Sequence, residues 1–278
     1  MIALLLALGS SLAYGSADFL GGLGARKAHV LRTVAVAAPA SLAVELALWP
    51  LLGADFSAGA LGWGAASGIA SAAAFVLLYR TLAIGPMNVL SPITALVSAV
   101  LPVGVGLLQG EHLATAAIAG LPLALVAVVL VSAGPGARTA RPSKQALLPA
   151  LGAGAAIAFQ LVFLHQAPTD SGVAPLIAGR AVSSAITLTA AVALHRRLGP
   201  ERPAFGPAAA AGALDSIANL LFLLATRSGD LAVTAVVVAL YPAATILLAR
   251  RVLRERLHKG QFVGLGAAAL AVGLLALA

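Results

Sequence analysis

Apolar stretches of about 20 residues recur ten times along this chain, separated by short polar breaks. An α-helix of that length crosses the roughly 30 Å hydrocarbon core of a bilayer and satisfies its own backbone hydrogen bonds where water is absent. Hydrophobic residues make up 61% of the 278 residues and charged residues 9%, which leaves no segment for a soluble domain. The sequence therefore predicts an all-α, polytopic membrane protein with ten transmembrane helices.

Charged residues and turn clusters locate the breaks between the predicted spans. The first span begins at Met1 without a basic leader and runs for about 20 residues, which favours a transmembrane helix over a cleaved signal peptide; a signal-anchor is the alternative. We expect helices over 2–21, 30–52, 59–79, 87–108, 113–133, 146–165, 173–194, 204–225, 230–249 and 261–278.

The second half of the sequence repeats the first at a spacing of 144 residues. The match of Glu111 with Glu255 carries most weight, because Glu is rare here while Ala and Leu are common. We divide the chain into a five-helix repeat at 1–133, a linker at 134–145 and a second five-helix repeat at 146–278. Since each repeat has an odd number of spans, the two repeats are inverted, as in alternating-access transporters. Other matched pairs are Gly85/Gly229, Leu113/Leu257, Gly120/Gly264, Leu121/Leu265 and Leu130/Leu274.

Both repeats contain a short Gly-containing turn, an apolar helix, a Glu-x-Leu break and a Gly-rich last helix. These features lie at AIGP (83–86), GEHL (110–113), SGD (228–230), Tyr241-Pro242 and RERL (254–257). In this order of features the chain resembles the EamA-type transporters of the drug/metabolite transporter superfamily. It departs from the family at Tyr14 and Asp18, which lie in a stretch that is usually Trp-Gly-Ser-Asn-Phe-like, and at Ser98, where the family has Pro.

The resemblance implies a ten-helix exporter or exchanger of a small polar or amphipathic metabolite. It also implies a central cavity lined mainly by the third, fourth, eighth and ninth helices, no bound cofactor, and a multi-pass location in a bacterial inner (plasma) membrane. Two alternatives from other classes remain: a non-transporting membrane scaffold or subunit, and an intramembrane enzyme acting on lipids. The enzyme would need convergent nucleophile, base or metal residues, which the sequence does not offer.

Basic residues indicate the orientation of the helices. Fifteen Lys and Arg follow odd-numbered spans, whereas only Arg227 follows an even-numbered span. The positive-inside rule therefore places the linker in the cytoplasm and both termini outside, although the family more often has its termini inside. This bias also explains the net charge of +8 better than nucleic-acid binding does.

Four charged residues lie beyond the first turn of a predicted span, where a charge costs about 2.5–3.5 kcal/mol to insert. They are Asp18, Glu45, Arg180 and Asp215, and none has a charged counterpart 144 residues away. For Asp18 and Glu45, a position near a helix end or a structural ion pair competes with a role in transport. Arg180 and Asp215 lie deeper, which favours a role in binding or in the transport pathway.

Helical spacing extends these positions into polar faces. Arg180 and Ser184 share a face of the seventh helix, and Asp215 and Asn219 share a face of the eighth. Such faces line a cavity or bond helices together. Further candidates of this kind are Tyr14 with Asp18 on the first helix, Asn88 on the fourth and Tyr241 on the ninth.

A carboxylate that exchanges a proton as the cavity opens to each side would couple transport to an ion gradient. Asp215 is the first candidate, because burial favours the neutral form of a carboxyl group. Arg180 would neutralise it or bind a substrate carboxylate. Glu111 and Glu255 lie at helix boundaries, where a capping role is favoured over catalysis. The sequence therefore predicts a small-molecule substrate and lipid contacts, with proton coupling as an option and the oligomeric state open.

Overall fold

The structure is a computed structural model that describes residues 1–25, 28–84, 87–132, 144–199, 201–252 and 258–277. Apart from one isolated β-bridge between Ala54 and Gly172, regular structure in this part of the chain is helical. The helices are α1 (Ile2–Ala25), α2 (Val30–Leu52), α3 (Ala58–Ile84), α4 (Met87–Leu108), α5 (Thr115–Ser132), α6 (Lys144–His165), α7 (Ala174–Ala193), α8 (Phe205–Ser228), α9 (Leu231–Val238), α10 (Tyr241–Val252) and α11 (Lys259–Ala276).

These helices confirm the predicted membrane architecture. Nine segments of the described chain are long and apolar enough to cross a bilayer, and α4 adds the apolar segment Ile93–Leu108. Their ends differ from the predicted spans by a few residues. The ninth span is one apolar segment, Leu231–Val252, but it is built from two helices, α9 and α10.

The packing of the helices follows a pseudo-two-fold pattern. Helix α1 packs on α8 and α6 packs on α3, which are equivalent pairs if each helix of the first half matches the helix five spans later. The pairs α2 with α8 and α7 with α3 are equivalent in the same way, while α5 packs on α11, the last helix of each half. Because each half has five spans, this arrangement is consistent with two inverted repeats.

Close helix crossings occur at glycines that the 144-residue register relates. A Cβ on Gly120 would meet Leu275, and a Cβ on Gly264 would meet Val131, which is the residue 144 positions before Leu275. These two contacts join α5 to α11 from both sides. In the same way Gly68 of α3 lies against the backbone of α7, and Gly212 of α8 lies against the backbone of α2. Small residues permit the close approach of backbones that holds membrane helices together.

The break between α9 and α10 has a local cause in Pro242. Proline has no N–H, so the carbonyl of Val238 lacks the helical donor four residues ahead. Leu240 instead donates to the carbonyl of Val237 at 3.2 Å, and the chain resumes a helix at Tyr241. The first repeat has Ser98 at the equivalent position, and α4 runs through it without interruption. The two equivalent spans therefore differ at the position of Pro242, although α2 and α5 run unbroken through Pro39 and Pro122.

Polar side chains fix the ends of helices, in one case across the two halves and in one case within the second half. Glu111, after α4, accepts the backbone N–H groups of Leu231 and Ala232 at 2.6 and 3.0 Å, so it caps α9 across the repeat boundary. This agrees with the capping role favoured from the sequence, whereas Glu255 lies outside the described residues. Arg227 lies in the last turn of α8 and donates to the carbonyls of Gly172 and Pro168 at 3.1 Å.

Candidate functional site

A buried cluster of charged side chains joins four helices in the middle of the bundle. Arg180 of α7 forms a close ion pair with Asp215 of α8, and its Nε lies 3.5 Å from Glu45 Oε1 of α2. Its Nη1 donates to Ser71 Oγ of α3 at 3.2 Å, and Ser216 Oγ donates to Glu45 Oε1 at 3.0 Å. Arg180 is 4% exposed and Glu45 is 1% exposed, so these partners replace the water that both groups have lost.

The contacts of Arg180 locate this cluster close to the pseudo-two-fold axis. Ser71 and Asp215 are 144 residues apart and occupy equivalent positions on α3 and α8. One side chain contacts both, so it lies where the two halves meet. In inverted repeats this axis runs in the membrane plane, which puts Arg180 at mid-depth of the bundle. A charged group at that depth is costly unless it is paired.

A cavity lies beside this cluster, between the two halves. Its volume is about 60 Å³, which is several times the roughly 10–15 Å³ that one water needs. The carbonyl freed by the α9–α10 break belongs to Val238, one of the lining residues. The cavity is lined by Tyr14, Asp18, Ser71, Ala74, Phe75, Leu78, Ser98, Ile157, Gln160, Leu161, Asp215, Ala235, Val238, Ala239 and Tyr241.

Four of the residues predicted from the sequence meet in this cavity. Tyr14 and Asp18 lie one turn apart on α1, Asp215 projects from α8, and Tyr241 follows the break before α10. Asp18 is exposed although it lies within a membrane-spanning helix. The cavity thus brings together candidates that are far apart in the sequence.

The other predicted residues lie outside the main cavity. Glu45 and Arg180 form the buried cluster beside it, where Arg180 pairs with Asp215 as one of the sequence hypotheses proposed. Asn219 accepts a hydrogen bond from Gln160 and donates to the carbonyl of Asp215, each at 2.8 Å. Ser184 is buried on α7 and does not line the cavity. The side chain of Asn88 lies outside the described residues.

Gln160 and Ser71 are polar residues of the site that were not among the candidates from the sequence. Gln160 of α6 lines the cavity and donates a hydrogen bond to Asn219 of α8. It therefore links two helices of the second repeat. Ser71 bonds Arg180. A signal was available for both: Gln160 is a long polar residue in the middle of an apolar span, and Ser71 is the counterpart of Asp215 at the 144-residue spacing.

The chemistry that this site offers is acid-rich and mostly apolar. Two carboxyl groups, Asp18 and Asp215, face the cavity, and the one guanidinium in the adjoining cluster is shared between Asp215 and Glu45. Within the described part of the chain, no three His, Cys, Asp or Glu side chains are grouped so that they could hold a metal ion. Such a wall suits an uncharged or cationic ligand with an apolar body better than an anion.

Comparisons with known proteins support the fold and the family. A crystal structure of another protein superposes with a TM-score of 0.77 at 16% sequence identity, covering 99% of this chain and 96% of that chain. At this identity the likeness shows the fold alone. No curated protein sequence matches the chain.

The model of the EamA-like transporter family matches residues 144–277, which is the second repeat. This match falls on the half that retains the family proline as Pro242. The resemblance inferred from the sequence is therefore confirmed over the second repeat, which matches the EamA-like transporter family of the drug/metabolite transporter superfamily.

Proposed function

We propose that this chain is a secondary active transporter that moves a small polar or amphipathic metabolite across a bacterial inner membrane by alternating access. The observation that carries the proposal is the cavity between the two halves, beside an ion-paired cluster close to the pseudo-two-fold axis. A site at that position is exposed to either side when one repeat rocks against the other. The chain acts as an exporter or exchanger.

Transport is favoured over catalysis because the polar groups of the site bind one another rather than converge on a reacting atom. Arg180 is held by two carboxylates and a hydroxyl, and Asn219 is held by Gln160 and a backbone carbonyl. None of these contacts activates a nucleophile. Asp215, with one face on the cavity and one on Arg180, is the first candidate to bind and release a proton as the cavity opens to each side.

The test is flux into proteoliposomes that contain only this protein. A thermal-shift screen against metabolites first identifies a ligand, since binding to the folded state alone raises its apparent stability. We expect that ligand to accumulate against its gradient when a pH difference is imposed, and Asp215→Asn to abolish the response to pH while it remains folded. Flux into empty liposomes equal to that into proteoliposomes would contradict the proposal. So would the absence of flux for every ligand that binds.

A further inference from the structure

Asp18 differs from Glu45, Arg180 and Asp215 because no described residue pairs with it. Glu45, Arg180 and Asp215 are ion-paired with one another, whereas Asp18 has no hydrogen bond or ion pair with any described residue. Its side chain is exposed and faces the cavity. The counterpart of Asp18 in the second repeat is Val162, so the fold does not require a carboxylate at this position.

The charges around the cavity leave Asp18 without a neutralising group. Among the described residues that line the cavity there is no Lys, Arg or His. The guanidinium of Arg180 is already shared between Glu45 and Asp215. A carboxylate at membrane depth is costly without a counter-charge. None of the described residues that line the cavity therefore supplies the missing positive charge.

The rest of the cavity wall indicates what else the ligand carries. The phenol rings of Tyr14 and Tyr241 line the cavity together with Asp18, and ring faces of this kind attract cations. Leu78, Ile157 and other aliphatic residues form most of the remaining wall. A few polar groups set in an apolar wall are typical of small-molecule sites.

We propose that Asp18 is the cation-binding residue of the cavity and that the ligand is a small amphipathic amine, with its ammonium group on Asp18 and its apolar body against the aliphatic wall. The assignment rests on the proposed transport function and narrows its substrate class. Arg180, in contrast, holds Asp215 and Glu45 in position and does not bind the ligand.

The test uses three probes with one phenyl body and different head groups: phenethylamine, phenethyl alcohol and phenylacetate. Binding to the full chain in lipid nanodiscs is measured by calorimetry, with empty nanodiscs as the blank for partition into lipid. We expect the amine to bind about tenfold tighter or more than the alcohol, and the acid to bind weakest. Asp18→Asn should remove this preference, and Asp55→Asn, which changes an exposed loop carboxylate outside the cavity, should retain it.

Three results would overturn the assignment. These are phenylacetate binding as tightly as phenethylamine, an Asp18→Asn chain that keeps the full preference for the amine, and no amine binding by the native chain. Flux of an anionic or neutral metabolite in proteoliposomes would then leave the transport function standing without the amine assignment. Loss of flux for every ligand would instead contradict the transport function itself.

Discussion

Replacing Arg180 by Gln tests whether the buried ion cluster holds α2, α7 and α8 together. The variant leaves Glu45, which is 1% exposed, with the Ser216 hydroxyl as its remaining described partner. At an effective dielectric constant of about 20, unit charges 3.5 Å apart, the separation of Arg180 Nε and Glu45 Oε1, attract by about 5 kcal/mol. Desolvation offsets part of this attraction in the native protein, so we expect a loss of about 3–5 kcal/mol in unfolding free energy.

The unfolding free energy of the Arg180 variant is measured by SDS titration in mixed micelles, followed by far-UV circular dichroism. A second substitution, Glu45→Gln, removes the more buried of the two orphaned carboxylates and keeps an acceptor for Ser216, so the double variant should recover about 1–3 kcal/mol. Arg196→Gln, an exposed arginine, is the control and should change stability by less than about 0.5 kcal/mol. A loss below about 1 kcal/mol for Arg180→Gln, or no recovery in the double variant, would show that the cluster does not hold these helices together.

Three further predictions concern helix ends, helix crossings and orientation. Glu111→Gln should cost about 1 kcal/mol of unfolding free energy, because a neutral amide caps the N–H groups of α9 less well than a carboxylate; an unchanged SDS midpoint would count against the cap. Gly212→Ala should destabilise the protein in the same assay, since its Cβ would meet the backbone of α2, while Gly62→Ala, with open space around it, should not; equal effects would argue against tight crossing. The chain has no cysteine, so single substitutions report the orientation. Ser143→Cys should resist a membrane-impermeant thiol reagent in intact cells and Thr169→Cys should react; the reverse pattern would show that the basic residues mislead.

The fold was predictable because membrane helices and internal repeats can be recognised directly in a sequence. Length and apolarity alone identify a helix in lipid, and the 144-residue spacing of Gly120 and Gly264 corresponds to a real crossing of α5 and α11. The split of the ninth span was less accessible. A proline such as Pro242 predicts a kink, but whether the helix continues beyond it depends on neighbouring helices that supply partners for the free carbonyl.

The composition of the site was predictable only in part. Charged residues in apolar spans pointed to Asp18, Glu45, Arg180 and Asp215, because few other reasons exist for charge at that depth. The pairing of Arg180 with Asp215 was among the hypotheses from the sequence, but the contact of Glu45 with Arg180 was not readable, since they lie on different helices and no local spacing relates them. Gln160 was missed for a similar reason: an amide costs less to bury than a charge, so its presence in a span attracts less attention.

Two single-cysteine variants of α3 test most directly whether substrate passes through the cavity between the repeats. Leu78 lines the cavity, whereas Val76 is 48% exposed on the outside of α3. We expect N-ethylmaleimide to block flux through Leu78→Cys, substrate to slow this block, and Val76→Cys to transport normally after the same treatment. Unimpaired flux through labelled Leu78→Cys, or an equal block of both variants, would contradict it.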